Sequence, residues 1–265
     1  MKNILVPVGS SKSAASNLQY AIDLAKEVDA NVYVISVFKQ VSKVGGLTKL
    51  NEIMKEDSKN RIAEVMAAVD TKGVTVVAHP IKGDVLDGVK RFNKHVPVDL
   101  MVISPRSNSI REEVFLGKTS GKLVKNTSVP VLVVPEGVVF EKPKTVMMAF
   151  KNGQFKKNKT LEPLVYLTKK FNLEVNLLHV ETPESTSEML SVSKKLMKIK
   201  GSYTKTDNAS TFLGVVEHFQ QMNPDIVCVV RRQRGFFSKL WEKNIILKKE
   251  FYTSKPLLVL GVQDY

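Results

Sequence analysis

The chain of 265 residues has little of the chemistry that marks disulfide-bonded, secreted or membrane-spanning proteins. Its one cysteine, Cys228, excludes an internal disulfide and favours a reducing compartment. No apolar run approaches the roughly 18 to 20 residues of a spanning helix. The apolar run at residues 2–8 is short and has no cleavage site behind it. The sequence therefore predicts a cytoplasmic protein without a membrane span.

Recognised catalytic and metal-binding motifs are also missing. No nucleophile elbow, GxGxxG fingerprint, HExxH or paired CxxC occurs. Gly117-Lys118-Thr119 is not a phosphate-binding P-loop, because that loop needs a glycine where this chain has Glu112. The histidines stand singly, without a partner at metal or catalytic spacing: His79, His95, His179 and His218. The sequence predicts no enzyme, no catalytic residue and no metal site.

Positive charge is what the chain has in excess. The formal net charge is +14, with 19 basic and 14 acidic residues in 1–140 and 21 basic and 12 acidic residues in the rest. Such a field attracts nucleic acid, anionic lipid or acidic proteins without specificity. A lysine-rich solvated surface is the simpler interpretation. Because no known aromatic-basic recognition module occurs, nucleic acid is not favoured as a partner, and its association with the basic surface is the weaker alternative.

An internal repeat is the clearest positive feature. Residues 98–136 and 224–262 each run through an apolar strand, a basic loop, a helix and a second apolar strand, and a single shift lays Asp99 on Asp225. Two units that share a fold usually pack as a pseudo-dimer. The sequence therefore predicts two domains, 1–138 and 144–265.

Hydrophobic periodicity predicts alternating strands and helices in both halves. In the first half, strands are predicted at 2–8, 31–38, 74–80, 99–103 and 129–134, with helices at 13–28, 50–69, 83–95 and 119–126. In the second half, strands are predicted at 145–150, 174–180, 201–206, 225–230 and 256–262, with helices at 161–171, 185–198, 210–222 and 245–252. Strict alternation with short connections predicts a parallel, doubly wound α/β sheet.

Four segments in this order resemble the universal stress protein family over nearly the whole chain. They are the opening strand ILVPV, the helix and strand YAIDLAKEVDANVYVISV, the pair Gly83-Asp84, and the ending VPVLVV. The resemblance implies a protein of the stress response, built from two tandem five-stranded domains related to adenine-nucleotide hydrolases. It also implies an intramolecular pseudo-dimer that pairs through the last strand of each domain. Whether two such chains also form a homodimer stays open, because an apolar edge strand can pair with a second chain as well as within its own.

Nucleotide-binding members of that family carry a glycine-rich phosphate loop, and this chain departs from it. The three glycine positions hold Ser104, Ser107 and Gly117, and Gly9 stands where those members have an aspartate. The main hypothesis is therefore a non-enzymatic protein with degenerate loops that binds an unidentified protein partner. The alternative is a sensor of ATP, AMP or another phosphorylated ligand, bound by Val8, Gly9, Phe38, Ser104, Arg106, Ser107, Gly117, Lys118 and Thr119.

The second half has no glycine-rich phosphate loop, and Lys151 stands where nucleotide-binding members of the family have the aspartate. It carries a cationic loop beside aromatic residues instead. That loop can hold an anion or an acidic partner by charge-assisted hydrogen bonds, or its rings can pack on the domain while the arginines stay solvated. The candidate residues are Arg231, Arg232 and Arg234.

Overall fold

The computed structural model describes residues 1–9, 11–38, 48–105, 114–155, 158–231, 246–247 and 252–261. In the first half it contains the strands β1 (Asn3–Pro7), β2 (Asn31–Phe38), β3 (Val76–Lys82), β4 (Leu100–Ile103), β5 (Val114–Leu116) and β6 (Val131–Val133). The helices of this half are α1 (Ala14–Val28), α2 (Thr48–Ala67), α3 (Val85–His95) and α4 (Lys118–Asn126).

The second half repeats this order. Its strands are β7 (Thr145–Phe150), β8 (Glu174–Glu181), β9 (Ser202–Asp207), β10 (Ile226–Arg231), β11 (Ile246–Leu247) and β12 (Leu257–Gly261). Its helices are α5 (Glu162–Phe171), which follows a 3-10 turn, α6 (Ser187–Leu190), α7 (Lys194–Ile199) and α8 (Thr211–Met222). No helix in the described ranges is long and apolar enough to cross a membrane.

Ten of these strands form one sheet, in the order β3-β2-β1-β4-β6-β12-β10-β7-β8-β9. Each half contributes five parallel strands, and the halves join where β6 and β12 pair antiparallel, with Leu132 opposite Leu258. Each half thus places its first strand between its second and fourth, which is the doubly wound order. The predicted fold class is confirmed: two tandem five-stranded parallel α/β units form a pseudo-dimer.

The apolar periodicity of the helices fixes how they cover the sheet. In α1, Leu18, Ala21, Ile22 and Ala25 are fully buried at helical spacing, while Lys26 is exposed. The helix ends at Asp29, whose left-handed conformation lets its N–H donate to the carbonyl of Ala25.

One contact occurs in both halves and explains the repeated aspartate. The carboxylate of Asp99 accepts hydrogen bonds from the backbone N–H groups of Lys2 and Asn3, at 2.6 and 3.0 Å. The carboxylate of Asp225 accepts from the N–H groups of Lys144 and Thr145, at 2.7 and 2.9 Å. In each half the start of the fourth strand thereby holds the start of the first.

The helix predicted at 185–198 is wrong in its middle, where the chain breaks into α6 and α7. Val192 forms an isolated bridge with Gly153, and the N–H of Ser193 donates to the carbonyl of Gly153 at 3.0 Å. Ser193 then begins α7, because its hydroxyl accepts from the N–H of Leu196. A backbone partner distant in sequence therefore overrides local helix propensity.

The helix predicted at 245–252 is also wrong where the structure describes it. Ile246–Leu247 is a short strand, β11, which pairs antiparallel with β5 of the first half. The rest of that segment up to residue 251 lies outside the described residues. The remaining predicted helices and strands are confirmed, with ends that shift by a few residues.

Candidate functional site

Each half has a point where strand order reverses, and ligands of such folds bind outside the carboxyl ends of the strands there. In the first half that point lies between β1 and β4, where Ile4 pairs with Leu100. Val8 and Gly9 follow β1, and Ser104 follows β4. Val8 is buried and its N–H donates to the carbonyl of Ile35 at 2.8 Å, whereas Gly9 is exposed. The structure therefore brings these predicted residues to one edge of the sheet.

Of the other residues predicted for this site, some lie at this edge of the sheet and others fall in segments that the structure does not describe. Phe38 ends β2, and its carbonyl accepts from the N–H of Gly83 at 2.8 Å. Arg106 and Ser107 lie outside the described residues. The site assignment as a whole stays a prediction.

The start of α4 is tied to the end of β4. The N–H of Gly117 donates to the carbonyl of Pro105 at 2.9 Å, and the hydroxyl of Ser120 donates to the carbonyl of Ser104 at 2.8 Å. Gly117 is the N-cap, and no side chain caps the helix. We call the carboxyl edge of the sheet at this point, beside the ends of β1 and β4, the mouth of the first half. The N-terminus of α4, where Lys118 and Thr119 are exposed, therefore presents N–H groups and the positive end of the helix dipole at this mouth.

The helix predicted at 119–126 begins one residue earlier, at Lys118, so Thr119 lies inside the helix rather than at its N-cap. The carbonyl of Gly117 already accepts from the N–H of Gly121 at 2.7 Å. Threonine is a better cap than glycine by local propensity, but the hydrogen bond to Pro105 fixes Gly117 at the cap position.

A small cleft beside this edge was missed by the sequence reasoning. Its lining includes Ser13, the N-cap residue of α1, Asn17 of α1, and Ser104. Asn17 is 5% exposed; its amide nitrogen donates to the carbonyl of Val102 at 3.4 Å, and its amide oxygen has no hydrogen-bond partner among the described residues. An unpaired buried acceptor costs about 1 to 3 kcal/mol, so a bound donor would be stabilising. The available signal was a serine and an asparagine four residues apart beside the apolar face of α1.

In the second half, the described residues near the carboxyl ends of β7 and β8 contact one another. Lys151, whose side chain is 12% exposed, forms an ion pair with Glu184 at 3.0 Å. His179 is fully buried, stacks on Phe150 with ring centroids 4.8 Å apart, and shares a hydrogen bond of 2.8 Å with the hydroxyl of Tyr203. Burial lowers the pKa of His179, so its imidazole is neutral near pH 7.

The backbone after β7 is also tightly packed. A side chain on Gly153 would bring its Cβ to 2.7 Å from the carbonyl oxygen of Ser191, which is shorter than a van der Waals contact. The segment after β7 therefore lies directly against the segment between α6 and α7. The two halves share a fold but differ among the described residues at this edge: Asn17 keeps an unpaired buried acceptor in the first half, whereas Lys151 is ion-paired and Gly153 lies against the backbone of Ser191 in the second.

Arg231, one of three arginines predicted to hold an anion or a partner, contacts the first half. Its guanidinium donates to the carbonyls of Val124 and Thr127, at 2.7 and 2.5 Å. These carbonyls belong to the C-terminal end of α4, where a cation is favoured by the helix dipole. Arg232 and Arg234 lie outside the described residues, so the anion or partner site stays a prediction.

Replacing Arg231 by alanine is expected to lower the free energy of unfolding by about 1.5 to 3 kcal/mol, because two charge-assisted hydrogen bonds are lost between the halves. Urea denaturation followed by circular dichroism measures this. Arg231→Lys should recover only part of the loss, since an ammonium lacks the fork that reaches both carbonyls. An alanine variant as stable as the parent would show that the contact is energetically neutral.

Within the described ranges, no group of three or more His, Cys, Asp or Glu side chains could hold a metal ion. The thiol of Cys228 is fully buried, and burial raises its pKa far above the usual range, so it is not a nucleophile near neutral pH.

Comparison with known proteins agrees with this architecture. A family model described as the universal stress protein family matches residues 1–135. A universal stress protein of Methanocaldococcus jannaschii is 28% identical over 138 residues, which cover 50% of this chain and 81% of the relative. The structure of a universal stress protein from Archaeoglobus fulgidus superposes with a TM-score of 0.73 at 17% identity, covering 99% of this chain and 97% of that one. A putative universal stress protein from Pseudomonas aeruginosa superposes with a TM-score of 0.60 at 11% identity, covering 100% and 94%.

Proposed function

Because this chain belongs to the universal stress protein family, we propose that it is a non-enzymatic cytoplasmic protein of the stress response that acts by binding. In this proposal its domains, 1–138 and 144–265, have diverged. The first keeps a site for a small phosphorylated ligand of the ATP or AMP type, and the second has given its site up. The difference between the two halves at the carboxyl edge of the sheet is the main support.

The single observation that carries the ligand proposal is the buried amide oxygen of Asn17. It lines a cleft with Ser104, and Ser104 also holds Ser120 at the start of α4. A ligand with a hydroxyl or amino donor at one end and a phosphate at the other would satisfy both places. The cleft is too narrow in this structure to admit a water molecule, so the side chains around Asn17 would have to move apart for the donor to pair with its amide oxygen. The phosphate would lie at the N-terminus of α4. A nucleotide has this chemistry.

A thermal-shift titration with ATP, AMP and adenosine tests the proposal. Saturable stabilisation is expected for the nucleotides, reaching about 2.7 kcal/mol at a ligand concentration of 100 times Kd. Adenosine, which lacks phosphate, should stabilise the protein less. If none of the three shifts the transition, the ligand proposal fails.

The variant Gly117→Asp should lose most of this ligand stabilisation, and its own stability is measured without ligand alongside. Gly117 is buried and has φ −68° and ψ 171°, a backbone conformation that an N-cap aspartate adopts. Its carboxylate would repel a phosphate at the same place. Gly117→Asn is the matched control, because asparagine caps equally well without the charge and should bind nearly as the parent does. Equal ligand affinity in both variants would place the phosphate elsewhere.

Binding of a protein partner by the second half is the second candidate. Helix α8 leaves Leu213 and Val216 47% and 51% exposed, one helical turn apart on its outer face. Exposed apolar side chains at this spacing suit a protein contact. If the thermal-shift series shows no ligand, this becomes the function to test first.

A further inference from the structure

Five lysines that are far apart in sequence come together at the amino ends of the second-half strands. We call them the amino-edge row: Lys144, Lys169, Lys170, Lys200 and Lys255. Lys144 precedes β7, and Lys169 and Lys170 lie in the last turn of α5, just before β8. Lys200 precedes β9, and Lys255 precedes β12. All but the half-buried Lys255 are exposed.

Backbone contacts show that these positions are neighbours. The N–H of Glu174 donates to the carbonyl of Lys144 at 2.8 Å, which sets the starts of β7 and β8 side by side. The N–H of Gly201 donates to the carbonyl of Val175 at 2.8 Å, which brings Lys200 to the start of β8. Since neighbouring strands lie about 4.8 Å apart, the row runs along the sheet edge at the starts of β12, β7, β8 and β9, with Asp225 at the start of β10 between Lys255 and Lys144.

Little negative charge offsets this row. Asp225 lies beside it, but its carboxylate is occupied by the N–H groups of Lys144 and Thr145. Within the part of the chain that the structure describes, Lys144, Lys169, Lys170 and Lys200 form no ion pair, and Glu174 is their exposed acidic neighbour.

The corresponding edge of the first half differs in part: Lys2 and Lys26 are exposed there without an ion pair among the described residues, but other lysines at that edge are paired. Lys72 pairs with Asp23 at 2.7 Å, and Lys142 from the connecting segment pairs with Glu27 at 2.9 Å. Two lysines at the first-half edge are therefore neutralised by carboxylates, whereas no lysine of the amino-edge row has such a partner among the described residues. The second-half edge is the less balanced of the two.

We propose that the amino-edge row is a docking surface for the phosphate backbone of a nucleic acid duplex, bound without reading its sequence. Lysines bind phosphates as point charges, and each contact releases counterions from the duplex. A line of charges along a twisted sheet edge matches a linear polyanion better than the plane of a membrane.

This proposal does not depend on ligand binding at the first-half mouth. It goes against the sequence-based expectation, which disfavoured nucleic acid because no recognition module occurs. A module is needed to read bases, whereas backbone binding needs only spaced positive charge. That spacing is created by the sheet and is invisible in the sequence.

The test is fluorescence anisotropy of a short labelled duplex of mixed sequence, titrated with the full chain over a series of salt concentrations. The row variant carries Lys144→Gln, Lys169→Gln, Lys170→Gln and Lys200→Gln. Its slope of log affinity against log salt should be smaller than that of the parent by about 3 to 4, since each lost contact removes about 0.9. At low salt its affinity should be lower by about tenfold or more. A variant with Lys144→Gln and Lys200→Gln alone should show about half the change in slope.

The matched control carries Lys2→Gln, Lys26→Gln, Lys90→Gln and Lys94→Gln, all exposed in the first half, and so removes the same charge. It should change the slope by less than about one unit. Equal effects of the two variants would overturn the proposal, because net charge alone would then explain binding. It would equally be overturned if the parent bound vesicles of phosphatidylcholine and phosphatidylserine but no duplex, or if neither were bound.

Discussion

Leu258→Ala is expected to lower the free energy of unfolding by about 2 to 5 kcal/mol, the largest loss among the substitutions considered. Leu258 is fully buried in β12, where the two halves of the sheet meet. Its partner across the junction is Leu132 of β6. Truncation leaves a cavity in a strand that pairs with β6 on one side and β10 on the other, so the surrounding backbone cannot move in to fill it. Leu213→Ala on the exposed face of α8 is the matched control and should change stability by about 0.5 kcal/mol or less.

The junction also predicts a coupling between the two leucines. Leu132→Ala should be destabilising by a similar amount, and the double variant should depart from the sum of the single effects by about 0.5 to 3 kcal/mol, because the side chains share one cavity. Urea denaturation of the four proteins gives the cycle. Strict additivity would contradict the packing of these side chains against each other. A second transition appearing only in the double variant would instead mean that the halves unfold separately.

Asp225→Ala is expected to be destabilising by about 2 to 4 kcal/mol. The carboxylate accepts from two backbone N–H groups and from the hydroxyl of Thr145, so its removal separates the starts of β7 and β10. Asp225→Asn keeps an acceptor and loses only the charge, so it should cost less. Asp99→Ala in the first half should resemble Asp225→Ala, because the contact is repeated there. A neutral Asp225→Ala alongside a costly Asp99→Ala would show that only one half needs this contact.

The same carboxylate gives a pH dependence. Burial raises the pKa of Asp225, but hydrogen bonds from Lys144 and Thr145 and the charge of Lys255 lower it more, so the folded-state pKa lies below the usual range. The stabilisation is therefore complete above the unfolded-state pKa of about 3.9 and is lost as the pH falls through the folded-state value. The stability difference between the parent and Asp225→Asn should shrink on acidification below about pH 4. A difference that stays constant down to pH 2 or so would rule out this carboxylate as the cause.

Most of the fold could be predicted from the sequence because local pattern and final structure agree. The strand over Asn31–Phe38 and the strand over Thr145–Phe150 have the predicted ends, since both are apolar runs bounded by polar residues. Because strands and helices alternate and the pattern repeats, only a few sheet topologies are compatible with the sequence. The predicted gathering of Val8, Gly9 and Ser104 follows from the same logic, because carboxyl ends of parallel strands share an edge.

The failures all involve partners that lie far away in sequence. The break between α6 and α7 depends on Gly153, and the strand Ile246–Leu247 depends on β5 of the other half. Arg231 was a candidate residue for an anion or an acidic partner, a site that stays a prediction, and its contact with two carbonyls of α4 could not be predicted from the sequence. The buried amide of Asn17 could not be recognised as unpaired from its neighbours in the chain. Each of these needs the tertiary structure, since no local propensity encodes it.

The antiparallel junction of β6 and β12 has a consequence for how the protein behaves on dilution. When two such units are separate chains, their pairing is bimolecular and weakens as protein concentration falls. Here both edges belong to one chain and are joined by a short connecting segment, so each meets the other at an effective concentration on the order of millimolar. The pairing of the halves is therefore independent of expression level.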